Sequence, residues 1–111
     1  MKPSLPSIRV MAEYGSSGLW AFSAGKGGTF RHGMIEHDAL GLSTELRQRL
    51  SAWIARYEDE NLSDTLDVPA FNAEGEALAR LLKAELGAAR HVEFQGESPD
   101  GGLLVAVVID G

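Results

Sequence analysis

Apolar and polar residues alternate near the start of the chain. Ile8, Val10, Ala12 and Tyr14 interleave with Arg9, Met11 and Glu13. A period of two predicts a half-buried strand. "GSSG" follows at 15–18, and "LWAFSA" reads as a second strand. Four Gly and Ser residues between two strands predict a hairpin, in which Gly15 and Gly18 accept the positive φ of the turn. "GKGGTFRHG" reads as a looser connection, and "MIEHDALG" leads into a helix.

From Leu46 the period changes. Leu46, Leu50, Trp53, Ile54 and Tyr57 fall at i, i+4, i+7, i+8 and i+11, which is one helical face. Ser43 as N-cap and Glu45 in the first turn predict a helix from about Thr44 to Glu60. "NLSDTLDVPAF" reads as a connection, and Asn72 as the cap of a second helix beginning near Ala73. Leu78, Leu81, Leu82 and Leu86 share its apolar face, and Gly87 is placed to end it. "HVEFQGE" alternates again, and "SPDGG" is a turn by composition. "LLVAVVI" is apolar on both faces, which predicts the most buried, central strand.

The predicted order is β-β-α-α-β-β. Hairpins imply a mainly antiparallel sheet, and two amphipathic helices need a sheet face to cover. The expected fold is α+β, a two-layer sandwich with both helices on one face. No repeat, linker or low-complexity segment interrupts the 111 residues, which fit a single domain over 1–111.

Charge narrows the function classes. Sixteen acidic and ten basic residues give a net charge of −6. Such a surface repels phosphate backbones, which argues against nucleic-acid binding, and it speeds encounter with a basic protein. The chain has no cysteine, which removes disulfides, thiolate metal sites and thiol nucleophiles together. "MKPSLPSI" lacks the apolar core of a signal peptide, and no run approaches the roughly 20 apolar residues of a membrane span. The expectation is a soluble cytoplasmic protein with no membrane association.

Two stretches invite a chemical reading. "AGKGGTF" sets Lys26 among glycines, as a phosphate loop does. The first glycine of the required spacing is missing, and Gly27 stands where Ser or Thr would bind magnesium. "HGMIEHD" gathers His32, Glu36, His37 and Asp38. Its two histidines are five apart, one residue too many for the helical zinc motifs, and Gly33 argues against a helix. No G-x-S-x-G elbow is present, and Ser16 and Ser17 sit in a turn. No catalytic, cofactor-binding or metal-binding residue is assigned, and the protein is expected not to be an enzyme. The alternative is a small ligand- or metal-binding domain, or an enzyme, using the 25–38 loop.

"YEDENLSDTLD" holds Glu58, Asp59, Glu60, Asp64 and Asp67 and no basic residue. Three of these acids crowd the end of the first predicted helix, where the macrodipole is already negative. Each costs roughly a few tenths of a kcal/mol there. A solvated loop is one explanation. The other is a partner-binding patch for a basic protein, formed by Glu58, Asp59, Glu60, Asp64 and Asp67. Trp53 and Tyr57 lie on the apolar stripe, so core packing is favoured for them over exposure beside the acids.

"IRVMAEYGSSGLWAF" and "GMIEHDALGLSTELRQRLSAWIARYEDEN" together resemble immunity proteins of contact-dependent growth inhibition and related polymorphic toxin systems. The shared pattern is an "RVM-EYGSSG-W" hairpin, then "LGL", then a helix with W and Y spaced along it. It covers roughly the first 60 residues. The resemblance implies a non-catalytic protein that binds one toxin domain, often a nuclease at the C-terminus of a large secreted protein. It would block the active site or substrate surface. Nuclease domains are commonly basic, because they bind a polyanion, and an acidic inhibitor complements them. The acidic run rests on charge alone; no interface position is carried over from the family.

Overall fold

A computed structural model of the protein describes residues 7–24, 30–100 and 102–109. The fold is α+β, with two helices and a mixed five-stranded sheet. The strands are β1 (Ser7–Met11), β2 (Leu19–Ala24), β3 (Phe30–Met34), β4 (Val92–Gln95) and β5 (Val107–Val108). A short 3-10 helix, His37–Leu40, follows β3. Helices α1 (Thr44–Leu62) and α2 (Val68–Leu86) stand between β3 and β4.

The sheet order is β3-β2-β1-β4-β5. Three pairings are antiparallel, and the one between β1 and β4 is parallel. This departs from the β-β-α-α-β-β expectation in two ways. "GKGGTFRHG" contains a strand: β3 pairs antiparallel with β2, Trp20 opposite Met34. The parallel contact forms because the helical pair is a crossover long enough to return β4 alongside β1, which no hairpin can do.

The β1–β2 turn is the predicted one. Gly15 and Gly18 have φ of +68° and +80°, and the Met11 N–H donates to the Gly18 carbonyl at 3.0 Å. Helix α1 starts at the predicted cap, where the Ser43 hydroxyl accepts the Leu46 N–H at 3.2 Å. The Ser43 N–H and hydroxyl in turn donate to the Glu85 carboxylate at 2.8 and 2.6 Å, tying the start of α1 to the end of α2.

Helix α2 starts earlier than predicted. Asp67, not Asn72, is its N-cap and accepts the Ala70 N–H at 3.2 Å. Pro69 falls in the first turn, where a missing N–H costs nothing because those donors have no helical partner. The released Asn72 does other work. Its Nδ2 donates to the Glu97 carbonyl, and its Oδ1 accepts the Glu97 N–H, both at 2.9 Å. Gly87 ends the helix at the expected position. The Lys83 ammonium donates to the carbonyls of Ala88 and Arg90 just beyond it.

Cross-strand partners Ile8 and Val92, Val10 and Phe94, and Val10 and Leu19 put buried side chains on one face of the sheet. They join a single cluster with Leu46, Leu50, Trp53, Ile54 and Tyr57 of α1 and Phe71, Leu78, Ala79 and Leu82 of α2. Trp53 stacks on Phe71 at a centroid distance of 4.6 Å and 8° between planes, and its indole N–H donates to the Phe71 carbonyl at 3.1 Å. Helix α2 approaches this pair closely because position 75 is glycine. A Cβ there would lie 2.5 Å from both Phe94 Cε1 and Trp53 Cζ2.

"LLVAVVI" is not the central strand. Only Val107 and Val108 are strand, they pair with β4 alone, and both are exposed. One edge of β4 is taken by β1, so the returning arm of the 98–102 turn can add only at the other edge, where the sheet ends. The central position belongs to β1.

Candidate functional site

The acidic stretch covers the last turns of α1 and the link into α2. The structure gives its members different tasks. Glu58 accepts the Gly15 N–H at 2.6 Å, binding the β1–β2 turn to the helix. Glu60 pairs with Arg56 one turn earlier at 3.0 Å, and Arg56 reaches Glu74 of α2 at 3.3 Å. Asp67 caps α2. Asp59 is exposed, and it is its carbonyl that accepts from Ser63. Asp64 is exposed with φ +58°, a left-handed conformation that Asp tolerates better than most residues. Among the described residues, the carboxylates of Asp59 and Asp64 alone of the five make no side-chain bond.

Asp64 lines a cleft of about 330 Å³ between the α1–α2 link and the 98–102 turn. Tyr57, Asn61, Glu97 and Asp100 line it too. Glu97 is the residue that sequence reasoning missed. It is only 8% exposed. In "HVEFQGE" the buried positions alternate through Val92 and Phe94 to Gly96, which predicts Glu97 outward. The Asn72 clamp turns the backbone after Gln95, so that Gly96 and Glu97 are both buried. No local pattern announces that contact.

The Tyr57 phenol and the Glu97 carboxyl face one another across the cleft and shift each other's ionisation. Burial pushes the Glu97 carboxyl above the ordinary range; the Tyr57 bond opposes that shift, and the charge of Glu13 adds to it. Burial, then the Glu97 charge, holds the Tyr57 phenol above its own range. The Tyr57 ring, largely buried as its helical spacing predicts, meets Tyr14 at 5.0 Å, and the Tyr14 hydroxyl accepts from Asn61 Nδ2 at 2.7 Å. At the rim, a bond from Ser98 and the Gly102 N–H hold the Asp100 carboxyl below its ordinary range. The cleft therefore sets the carboxyl groups of Asp64 and Asp100 at its rim and that of Glu97 at its base, a lining that favours a cation over an anion.

A second, open groove of about 730 Å³ sets the β1–β2 turn against part of "HGMIEHD". "GSSG" forms one wall, and Glu36, His37 and Asp38 form another. The side chains of Ser16, Ser17 and His37 are committed to structure. His37 Nε2 lies 2.9 Å from the Ser17 carbonyl; an oxygen of that kind only accepts, so Nε2 carries the proton. The Ser17 hydroxyl donates to the Ile35 carbonyl at 2.6 Å, and Ser16 donates to the Glu13 carbonyl at 2.8 Å. His37 thus meets the backbone of Ser17 and not its hydroxyl. Arg47 pairs with Asp38 at 3.2 Å. Residues 25–29 of the candidate 25–38 ligand loop, Lys26 included, lie outside the described residues. Among the described residues, no three His, Asp or Glu side chains are grouped to hold a metal ion.

The family model described as Serratia CdiI immunity protein-like matches residues 6–97. The chain belongs to this family. The match runs well past the hairpin and first helix that carried the sequence resemblance. It takes in α2, β4 and Glu97, and it stops before β5. For this immunity protein, a toxin is the partner that membership implies, and such proteins are generally not enzymes. No curated protein and no solved structure gives a match. No helix among the described residues is long and apolar enough to cross a membrane.

Proposed function

We propose that this protein neutralises one cognate toxin domain in the cytoplasm by covering its active site or substrate surface, without catalysis of its own. The observation that carries the reading is the family match over residues 6–97. The partner is a basic domain, in keeping with a nuclease at the C-terminus of a large secreted protein. Support comes from the net charge of −6 and from the acidic end of the molecule. Glu58, Asp59, Glu60, Asp64 and Asp67 form its negative field. Asp59 and Asp64, free of side-chain bonds among the described residues, and the Glu97–Asp100 cleft are where a basic side chain is received. Charge speeds the encounter, while a few buried contacts set the lifetime of the complex.

The test uses the purified protein and the toxin domain encoded beside it. Stoichiometric addition should abolish the toxin's activity. The Asp59→Lys/Asp64→Asn variant should slow association about tenfold at low salt and flatten its salt dependence, with dissociation little changed. Asp64→Asn is chosen because Asn also accepts a left-handed backbone. An unchanged association rate would move the interface away from this end. A toxin left fully active by the intact protein would refute neutralisation itself.

The 730 Å³ groove supports a second reading, a small polar ligand held between "GSSG" and Arg47. A folded-state ligand must raise the melting temperature. A thermal-shift series with nucleotides, sugars and zinc decides it.

A further inference from the structure

We infer, resting on the neutralisation reading above, that Tyr14 and Leu62 are the apolar anchors of the toxin interface and set how long the complex lasts. Carboxylates speed an encounter, but exposed ion pairs add little lifetime. Trp53 and Tyr57, on the helix that carries the acids, are buried in the core. The fold puts a different ring beside those acids. Tyr14, next to the β1–β2 turn, is 46% exposed and lies 5.0 Å from the Tyr57 ring. It is held from two sides. Its hydroxyl accepts from Asn61 Nδ2 at 2.7 Å, and the next residue, Gly15, donates its N–H to the Glu58 carboxylate at 2.6 Å. An exposed tyrosine that is already ordered loses little freedom when a partner covers it. Leu62 ends α1 and is 82% exposed. It follows Glu58 by four residues and Asp59 by three, so it shares their side of the helix. Glu58 also binds the turn beside Tyr14, so Tyr14 and Leu62 flank it on one side of α1.

Charge selects the occupant. Residues 57–67 hold five acids and no basic residue, so the two apolar side chains stand in a negative field. A second copy would bring the same carboxylates against them, with −6 on each chain. A basic toxin would not. The complementary surface is an apolar hollow bordered by Lys or Arg. The hollow takes the Tyr14 ring and the Leu62 side chain, and the basic border meets Asp59 and Asp64. An apolar centre inside a charged rim is the usual anatomy of a protein interface, and tyrosine is among the residue types that dominate binding energy. Leucine is not, so the larger share falls to Tyr14.

Binding kinetics of the full chain with the toxin domain encoded beside it test this. Tyr14→Ala should raise the dissociation rate about thirtyfold and Leu62→Ala about fivefold. Association at low salt should stay within about twofold of the parent for both. Asp59→Lys/Asp64→Asn should show the opposite split, with slower association and little change in dissociation. Leu62→Ala removes apolar surface that is already in water and installs a better helix former. Its melting temperature should match the parent's, so faster dissociation reports a lost contact and not a lost fold. Val105→Ala deletes a comparably exposed apolar side chain at the β5 edge and should leave both rates unchanged. If the parent binds the toxin and both Tyr14→Ala and Leu62→Ala dissociate as the parent does, the inference is overturned and neutralisation stands. Dissociation hastened by Val105→Ala alone has the same meaning. A toxin that the parent does not bind overturns both.

Discussion

Two apolar regions of this chain meet opposite fates. Around Trp53, side chains from both helices and β4 close on one another: Trp53 and Phe71 stack, Phe94 tilts against Trp53 at 6.3 Å, and Gly75 lets α2 approach. Along 103–108 an equally apolar stretch lies open at the sheet edge. Hydrophobicity alone does not distinguish them. The difference is topological: α1 and α2 are bracketed by strands on whose shared core they close, whereas the last strand can reach only the outer side of β4. The first region should therefore govern stability, and the second should contribute little to it.

The largest break in that comparison comes at Gly75. Replacing a helical glycine by alanine ordinarily stabilises by roughly 0.5–1 kcal/mol. Here the added Cβ would sit 2.5 Å from two aromatic rings that are themselves packed. Gly75→Val should lose about 3 kcal/mol or more, and Gly75→Ala should lose about 1–2 kcal/mol instead of gaining, read from urea midpoints. A gain in Gly75→Ala would mean that the rings move aside cheaply.

Asn72 comes next. Its side chain satisfies both backbone groups of Glu97 and so holds the start of the 98–102 turn against α2. Asn72→Ala leaves a partly buried N–H and C=O without partners, at a cost of about 1–2 kcal/mol. Hydrogen exchange should quicken at Glu97 and Leu104, whose N–H groups lie at that junction, and stay slow at Val10. Uniform acceleration would show that the turn is not a separable unit.

How far these features were legible follows from the range of the interactions behind them. The β1–β2 hairpin, β2, the Ser43 cap and the Leu46–Tyr57 stripe are set by neighbours within about a dozen residues, and they could be read directly. The start of α2 could not. Asn72 and Asp67 are both good caps, and the choice was decided by the bond from Asn72 to Glu97, 25 positions away. The same contact hid Glu97 from the site. Strand β3 was masked by Gly33 and the glycines that precede it in sequence, and by "FRHG", which alternates weakly. The "LLVAVVI" placement failed because apolarity on two faces reports a surface that can be covered, not one that the chain itself covers. Of the five acids proposed to meet a partner, composition located the cluster. Only the folded arrangement separates Glu58, Glu60 and Asp67, which make bonds within the fold, from Asp59 and Asp64.

Glu97 sharpens the comparison through pH. Its carboxyl is raised above the ordinary value of 4.5, chiefly by burial. The folded protein therefore holds this proton to higher pH than the unfolded chain does. The protonated side chain favours folding, and that contribution is lost as pH rises from about the ordinary value through the raised one. Glu97→Gln keeps a partner for Tyr57 and removes the titration. The stability of the parent minus that of the variant should fall as pH rises from the ordinary carboxyl value through the raised one, and then level. A difference that rises with pH would mean that bonding, not burial, dominates at Glu97.

The smallest effect is the one that isolates the edge. Val105 is 88% exposed, and burial energy scales with the area a side chain loses to its neighbours. Val105→Thr preserves strand propensity and shape, and what it gives up is apolar surface already in water. In dilute solution its urea midpoint should match the parent within about 0.5 kcal/mol, well below the Gly75 and Asn72 effects. A stability loss above about 1 kcal/mol in the dilute monomer would show that Val105 is covered from within the chain. The apolar edge would then be part of the core that it now contrasts with.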